Sequence, residues 1–156
     1  MAKVKPIPDG YHSVTPYLII KGAADAIDFY KKAFGATELF RMEHEGKVGH
    51  AEIKIGDSPI MLADEQPGMG YISPKTLGGT PVSLMIYVEE VDKIYKQAIK
   101  SGGEEVKALQ DQFYGDRSGT LKDPFGHVWT VATHKEDVTP EEMDKRIAAA
   151  KSAHAG

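Results

Sequence analysis

At 156 residues and 41% hydrophobic composition, the chain is long enough for one folding unit with a substantial core, built either as one domain or as two half-domains sharing it. Its net charge of -4, from 19 basic and 23 acidic residues without long runs of either sign, argues against a nucleic-acid surface. With no Cys there are no disulfides, thiolate metal sites or Cys nucleophile, and no amino-terminal apolar run reads as a signal peptide or membrane span, so a cytoplasmic protein with no nucleic-acid or membrane partner is expected.

Residues 1–12, with Pro6, Pro8 and Gly10, read as an arm ahead of the first element. Strand character begins at Ser13, where Thr15, Tyr17 and Ile19 alternate with Pro16, Leu18 and Ile20, and Pro16 marks an edge or a strand start. Gly22 opens a helix whose apolar positions Ala23, Ala26, Ile27, Tyr30 and Phe34 follow the helical period, with Asp25 in the first turn and Gly35 as the stop. Strands over 36–43 and 47–55 follow, joined at Gly46. In the second of these Ala51, Ile53 and Ile55 alternate with His50, Glu52 and Lys54, so one face is core and the other wet or functional. A strand over 59–64 completes the order strand, helix, strand, strand, strand within 13–65.

Residues 66–80 hold Pro67, Gly68, Gly70, Pro74, Gly78 and Gly79, and read as a linker that punctuates rather than folds. The same order restarts over 81–134: a strand over 82–88, then a helix over 91–101 with Val91, Ile94, Tyr95, Ala98 and Ile99 on one stripe, then a Gly102-Gly103 stop. Two or three strands follow, the last pair joined by Asp123-Pro124-Phe125-Gly126, with Pro at the second turn position and Gly at the fourth. Setting Gly35 on Gly103 gives an offset of about 68 residues at which the two helix stripes agree position for position, the mark of a duplicated half-domain. In the remainder, 135–156, Thr139, Pro140 and Glu142 form a capping pattern for a surface helix over 140–150.

Three groups of residues carry candidate chemistry. His50 and Glu52 share the polar face of one strand, as catalytic acid–base groups or part of an unconventional metal site, against the plainer alternative of a solvated face. Tyr114, Asp116 and Arg117 precede the last hairpin. Asp116 is a further catalytic candidate, and Arg117 would bind a polar or anionic ligand group under Tyr114, unless Asp116 and Arg117 only form a local ion pair. Thr15, Tyr17, Met61, Ser83, Met85, Tyr87 and Thr130 fall on a concave face whose aromatic, thioether and hydroxyl groups suit a partly apolar small molecule; filling between the halves or a dimer contact is the alternative. Trp129 and Val131 belong to the helix side, and His12, His127 and His134 sit at strand ends or turns, where an exposed or hydrogen-bonded His is usual.

The duplicated unit, with AIDFYKKAFGA at its first helix and KDPFGHVW at its last turn, resembles the vicinal oxygen chelate superfamily of glyoxalase I, extradiol dioxygenases, fosfomycin-resistance enzymes and bleomycin-binding proteins. Within it the chain looks most like the PhnB-like subgroup. The resemblance covers Ser13 to His134 and implies an α+β fold, two βαβββ modules forming curved mixed sheets around a shared cleft, and a homodimer. It also implies four metal ligands, His or Gln, Glu, His and Glu, at points that land near Thr15, Met61, Ser83 and Thr130. None of these is an imidazole or a carboxylate, and slipping the strands by one residue supplies none. No metal or other cofactor is therefore expected. The function expected is metal-independent binding of an amphipathic small molecule between the sheets; the alternative is a lyase, isomerase or dioxygenase of the same superfamily with non-standard metal ligands or acid–base residues.

Overall fold

Two four-stranded mixed sheets, each crossed on one face by a helix, form the α+β fold of residues 3–154, the part of the chain that the computed structural model describes. Met1, Ala2, Ala155 and Gly156, the extremes of the expected arm and tail, lie outside the described residues. The first sheet contains β1 (Tyr17–Ile20), β2 (Thr37–His44), β3 (Lys47–Ile55) and β4 (Ser58–Asp64) in the order β1-β4-β3-β2, with β1 parallel to β4. The second repeats that order as β5-β8-β7-β6, from β5 (Ser83–Tyr87), β6 (Glu104–Asp111), β7 (Asp116–Lys122) and β8 (Val128–His134). The helices are α1 (Ala23–Phe34) on the first sheet, α2 (Pro74–Leu77) between the modules, α3 (Val91–Lys100) on the second sheet and α4 (Pro140–His154) at the end.

The start of α1 is set by a carboxylate. Gly22 takes a left-handed conformation (φ 96°), and the buried side chain of Asp64 accepts the Gly22 and Ala23 amides at 3.0 and 2.9 Å and the Val48 amide at 2.7 Å. Two otherwise unpaired amides of the first turn are thereby satisfied by a negative group at the positive end of the helix. Gly35, at φ 67°, stops the helix and returns its amide to Lys31 and Tyr30.

Two segments differ from expectation. Regular pairing in β1 begins at Tyr17 rather than Ser13: Pro16 has no N–H to give a ladder, and only its carbonyl is engaged, by the Met61 amide at 2.9 Å. The connection over 66–80 also folds, into a 3-10 turn at Pro67–Met69 and the single turn of α2. Each has Pro near its start, where a missing N–H costs nothing, and buried Ser73 caps α2 by accepting the Thr76 amide at 3.4 Å.

The helix-covered faces share one core. Leu18, Ile20, Ala51, Ile53, Ile60 and Leu62 meet Ala23, Ala26, Ile27 and Tyr30 of α1, while Leu121, Trp129 and Val131 meet Val91, Tyr95 and Ala98 of α3. Fully buried Trp129 joins the two sets, its ring centroid 5.2 Å from Tyr30 and 4.9 Å from Phe34. Burying one such large apolar side chain stabilises by about 1.5–3 kcal/mol, so neither sheet keeps its helix-side face in water. The opposite, helix-free faces carry half-exposed Tyr17, Phe40 and Met42 on the first sheet and Met85 and Tyr87 on the second.

Candidate functional site

On the helix-free face of the first sheet the ladder sets Tyr17 beside Met61, Met61 beside Glu52 and Glu52 beside Phe40, with His50 beside Met42 one step along. The polar groups there form one chain. The Tyr17 hydroxyl lies 2.8 Å from His50 Nδ1, His50 Nε2 lies 3.2 Å from Glu52 Oε1, and the Tyr11 hydroxyl, from the arm, donates to Glu52 Oε2. The rings of Tyr17 and Phe40 flank the imidazole with centroids at 5.5 and 6.2 Å.

Electrostatics fixes the sense of this chain. Hydrogen bonds from Tyr11 and then His50 hold the Glu52 carboxyl below its ordinary range, so it is ionised at neutral pH and can only accept. An Nε2–H of His50 facing that carboxylate leaves Nδ1 to accept from the Tyr17 hydroxyl. Burial, followed by Tyr71 and Glu52, raises the Tyr17 phenol, and burial with the Glu52 contact pushes Tyr11 up to about 12.

The second sheet has its own network. Met85 stands beside Thr130 and Tyr87 beside Ala132, while the hydroxyls of Thr130 and Thr120 meet at 2.9 Å and Ser83 lies beside Val128 at the strand start. Tyr87 donates to Asp116 Oδ2 at 2.9 Å, and His134 spans two carboxylates, with Nδ1 2.7 Å from Asp116 and Nε2 2.8 Å from Asp137. Hydrogen bonds to Asp116 and then Asp137 raise the His134 pKa above its ordinary value, and the Asp116 contact raises the Tyr87 phenol.

The candidates Tyr114, Asp116 and Arg117 do not converge. Asp116 and Arg117 are consecutive in β7, so their side chains leave opposite faces. Asp116 turns to Tyr87, whereas Arg117 forks onto Asp92 of α3 with two bonds of 2.9 Å and reaches Asp111 at 3.3 Å. Tyr114 packs edge-on against Phe113, with ring centroids 5.4 Å apart. Thr15 lies ahead of β1, and Met61, Ser83 and Thr130 lie in strands. Tyr11 and Asp137 gave no signal in the sequence, because neither belongs to a periodic segment.

Two cavities flank the free edges of β1 and β5. One, of about 250 Å³, is lined in part by Tyr17, Ile19, Leu77, Val82 and His127; the other, of about 880 Å³, by Phe34, Ile60, Leu84, Met85, Tyr87 and Trp129, with charged residues including Lys93 and Glu90 also contributing. The donors that the four expected metal positions supply are hydroxyls and a thioether, and among the described residues no three or more His, Asp or Glu side chains gather as a cation site. This donor set does not fit a divalent ion of the kind held by imidazole and carboxylate.

Comparison with known proteins places these features. The profile of the Glyoxalase/Bleomycin resistance protein/Dioxygenase superfamily matches residues 11–131. An uncharacterized protein of Mycobacterium tuberculosis is 41% identical over 135 residues, which span 84% of this chain and 79% of that one. Two solved structures share the fold: TioX from Micromonospora sp. ML1, with TM-score 0.63 and 23% identity over 82% of this chain and 100% of its own, and a PhnB protein from Bacillus cereus, with TM-score 0.62 and 19% identity over 78% and 99%.

Proposed function

We propose, on the premise that the chain belongs to the glyoxalase/bleomycin resistance protein/dioxygenase superfamily, that it binds an amphipathic small molecule at the helix-free faces of its sheets without a metal ion. The carrying observation is the composition of those faces: half-exposed Tyr17 borders the smaller cavity and half-exposed Met85 and Tyr87 border the larger, Met61 pairs with Tyr17 and Thr130 with Met85 in the sheets, and the cation-binding donors of a metal enzyme are missing from the expected positions. Mostly apolar walls with a few placed hydroxyls suit such a ligand. Thr15, Ser83 and Tyr114 extend the proposed lining; Arg117, held by Asp92 and Asp111, is left out of it.

Within the superfamily we assign the chain to the PhnB-like subgroup, a choice supported by the KDPFGHVW turn and by the fold shared with the Bacillus cereus protein. Among the described residues no helix is long and apolar enough to cross a membrane. A homodimer in the cytoplasm is the expected working form, its second copy covering apolar side chains that are open in the single chain.

Titration with an anilinonaphthalene sulfonate dye tests the binding. Saturable fluorescence is expected, unchanged by a chelator and lost in Met85→Asp or Tyr87→Asp. One tightly bound divalent ion per purified chain, with dye binding abolished on its removal, overturns the proposal.

A further inference from the structure

The arm ahead of β1 is held at two points on one rung of the first sheet. Where it joins the strand the tie is backbone, the Pro16 carbonyl accepting the Met61 amide at 2.9 Å; further out it is a side chain, the Tyr11 hydroxyl donating to Glu52 Oε2. Met61 and Glu52 are ladder partners, so residues 11–16 form a loop closed on that rung. Among the described residues, Tyr11–Glu52 is the one hydrogen bond by which 3–15 reach the rest of the molecule, and Tyr11 alone of 3–14 is half-buried, the others being exposed. Beyond Tyr11 the arm is stiff: Pro6 and Pro8 have fixed φ, the Tyr11 amide returns to the Pro8 carbonyl at 3.1 Å, and Lys5 meets Asp9 at 2.6 Å. Residues 3–11 can therefore move as one piece about 12–15.

That hinge segment borders the larger cavity, which His12 and Val14 help to line. Exposure separates the mouth of the cavity from its floor: Val14 is 85% and Tyr87 62% exposed and His12 and Glu90 lie open beside them, whereas Phe34 and Ile60 are buried. The mouth thus has the arm on one side and β5 with the start of α3 on the other. With Tyr11 bonded to Glu52 the cavity keeps about 880 Å³, so the arm rims the space rather than filling it. Resting on the proposal that an amphipathic molecule binds here, we infer that the arm is a strap that gates the larger cavity, with Tyr11–Glu52 as its latch. The ligand enters and leaves past 12–15 while the latch is open, and the strap closes again behind it. One hydrogen bond is all that must break, while the Pro16 tie stays in the ladder, so the arm swings without leaving the sheet. Burial and then the Glu52 contact push Tyr11 up to about 12, which keeps on its hydroxyl the proton that the latch needs.

Two measurements on the full chain test the strap, one of them without any ligand. Heteronuclear NOEs of the backbone 15N nuclei report motion of each residue; in Tyr11→Phe they are expected to fall over 3–15 and to stay at wild-type values in the strands. Stopped-flow mixing with an anilinonaphthalene sulfonate dye then reads the gate. Tyr11→Phe is expected to speed association and dissociation alike, each by about tenfold, the scale of losing one hydrogen bond to a charged group, and so to leave the Kd unchanged within about twofold. Because the latch is a pair, Tyr11→Phe combined with Glu52→Gln should be no faster than Tyr11→Phe alone. Unchanged NOEs over 3–15 in Tyr11→Phe overturn the latch. Faster dissociation with unchanged association makes Tyr11 a ligand contact and overturns the gate. Saturable dye binding at wild-type rates in both directions overturns the gate and leaves the binding proposal standing. If the wild type shows no saturable binding, both fall.

Discussion

Tyr30 in α1 donates a 2.6 Å hydrogen bond to Asp123 in the turn between β7 and β8, joining the two modules through one carboxylate across 93 residues of chain. Asp123 is 2% exposed and also accepts from the Trp129 indole at 2.9 Å and from the Phe125 and His127 amides at 2.9 and 3.0 Å. The turn, the core tryptophan and the first helix thus depend on the same side chain.

Replacing Asp123 by Ala leaves two buried donors, the Tyr30 hydroxyl and the Trp129 indole, and two half-buried amides without that acceptor, and each buried orphan costs about 1–3 kcal/mol. A total loss of about 3 kcal/mol or more is expected in urea unfolding, against about 1 kcal/mol for Tyr30→Phe, which removes one bond and leaves a ring of nearly the same shape. Equal losses for the two variants would show that the turn holds itself without the carboxylate.

Gly119 makes a second tight contact, this one inside the second module. A Cβ on Gly119 falls 2.6 Å from the Tyr95 ring, and the ring is anchored by hydroxyl contacts of 3.0 Å to Glu105 and 3.1 Å to the Lys107 carbonyl. Gly119→Ala is expected to destabilise by about 1–3 kcal/mol, the usual penalty of overpacking. Adding Tyr95→Leu should recover part of that loss in the same unfolding assay; strictly additive losses would place the cost elsewhere.

The parts of the fold legible in sequence are those with a local cause. Gly22 and Gly35 bound α1, the Asp123–Gly126 turn carries its own residue chemistry, and alternation along β8 assigns Trp129 to the core and Thr130 to the opposite face. The proximity of His50 and Glu52 follows from the same alternation, as i and i+2 on one strand face. What was not legible depends on long-range contacts. Tyr11 reaches Glu52 across 41 residues from an aperiodic arm, and Asp64 reaches Gly22 across 42. Grouping Asp116 with Arg117 followed their adjacency, whereas the strand period separates them. The folded turns within 66–80 were hidden because Gly and Pro mark a linker and a one-turn helix alike.

The His134 clamp predicts a stability that depends on pH. Its folded-state pKa is raised by hydrogen bonds to Asp116 and then Asp137, while an unfolded histidine titrates near about 6.5. The contribution of the imidazolium is therefore complete below about 6.5 and lost as pH rises through the higher folded-state value. The melting-temperature gap between the wild type and His134→Gln should narrow as pH rises above about 6.5 through the raised folded-state value. An NMR titration placing His134 at or below the unfolded value would remove its basis, as would a gap that widens with pH.

The last helix is attached by charges rather than by a core. No residue of α4 is buried; Thr139 caps it by accepting the Glu142 amide at 3.2 Å, and Arg146 ties it back through Glu136 at 2.7 Å and the Phe113 carbonyl at 3.0 Å. The Arg146 guanidinium is raised by hydrogen bonds to Glu136 and then Glu142, but both carboxylates are about half exposed, and such surface ion pairs contribute only about 0–1 kcal/mol each. Arg146→Ala should therefore speed amide exchange over 140–154 while the unfolding midpoint of the core stays within about 0.5 kcal/mol of wild type, the range for surface substitutions. The same exchange should quicken as salt is raised, since a surface ion pair such as Arg146–Glu136 weakens with ionic strength. Uniform acceleration in all elements would mean that α4 is part of the cooperative unit and that its docking stabilises the sheets beneath it.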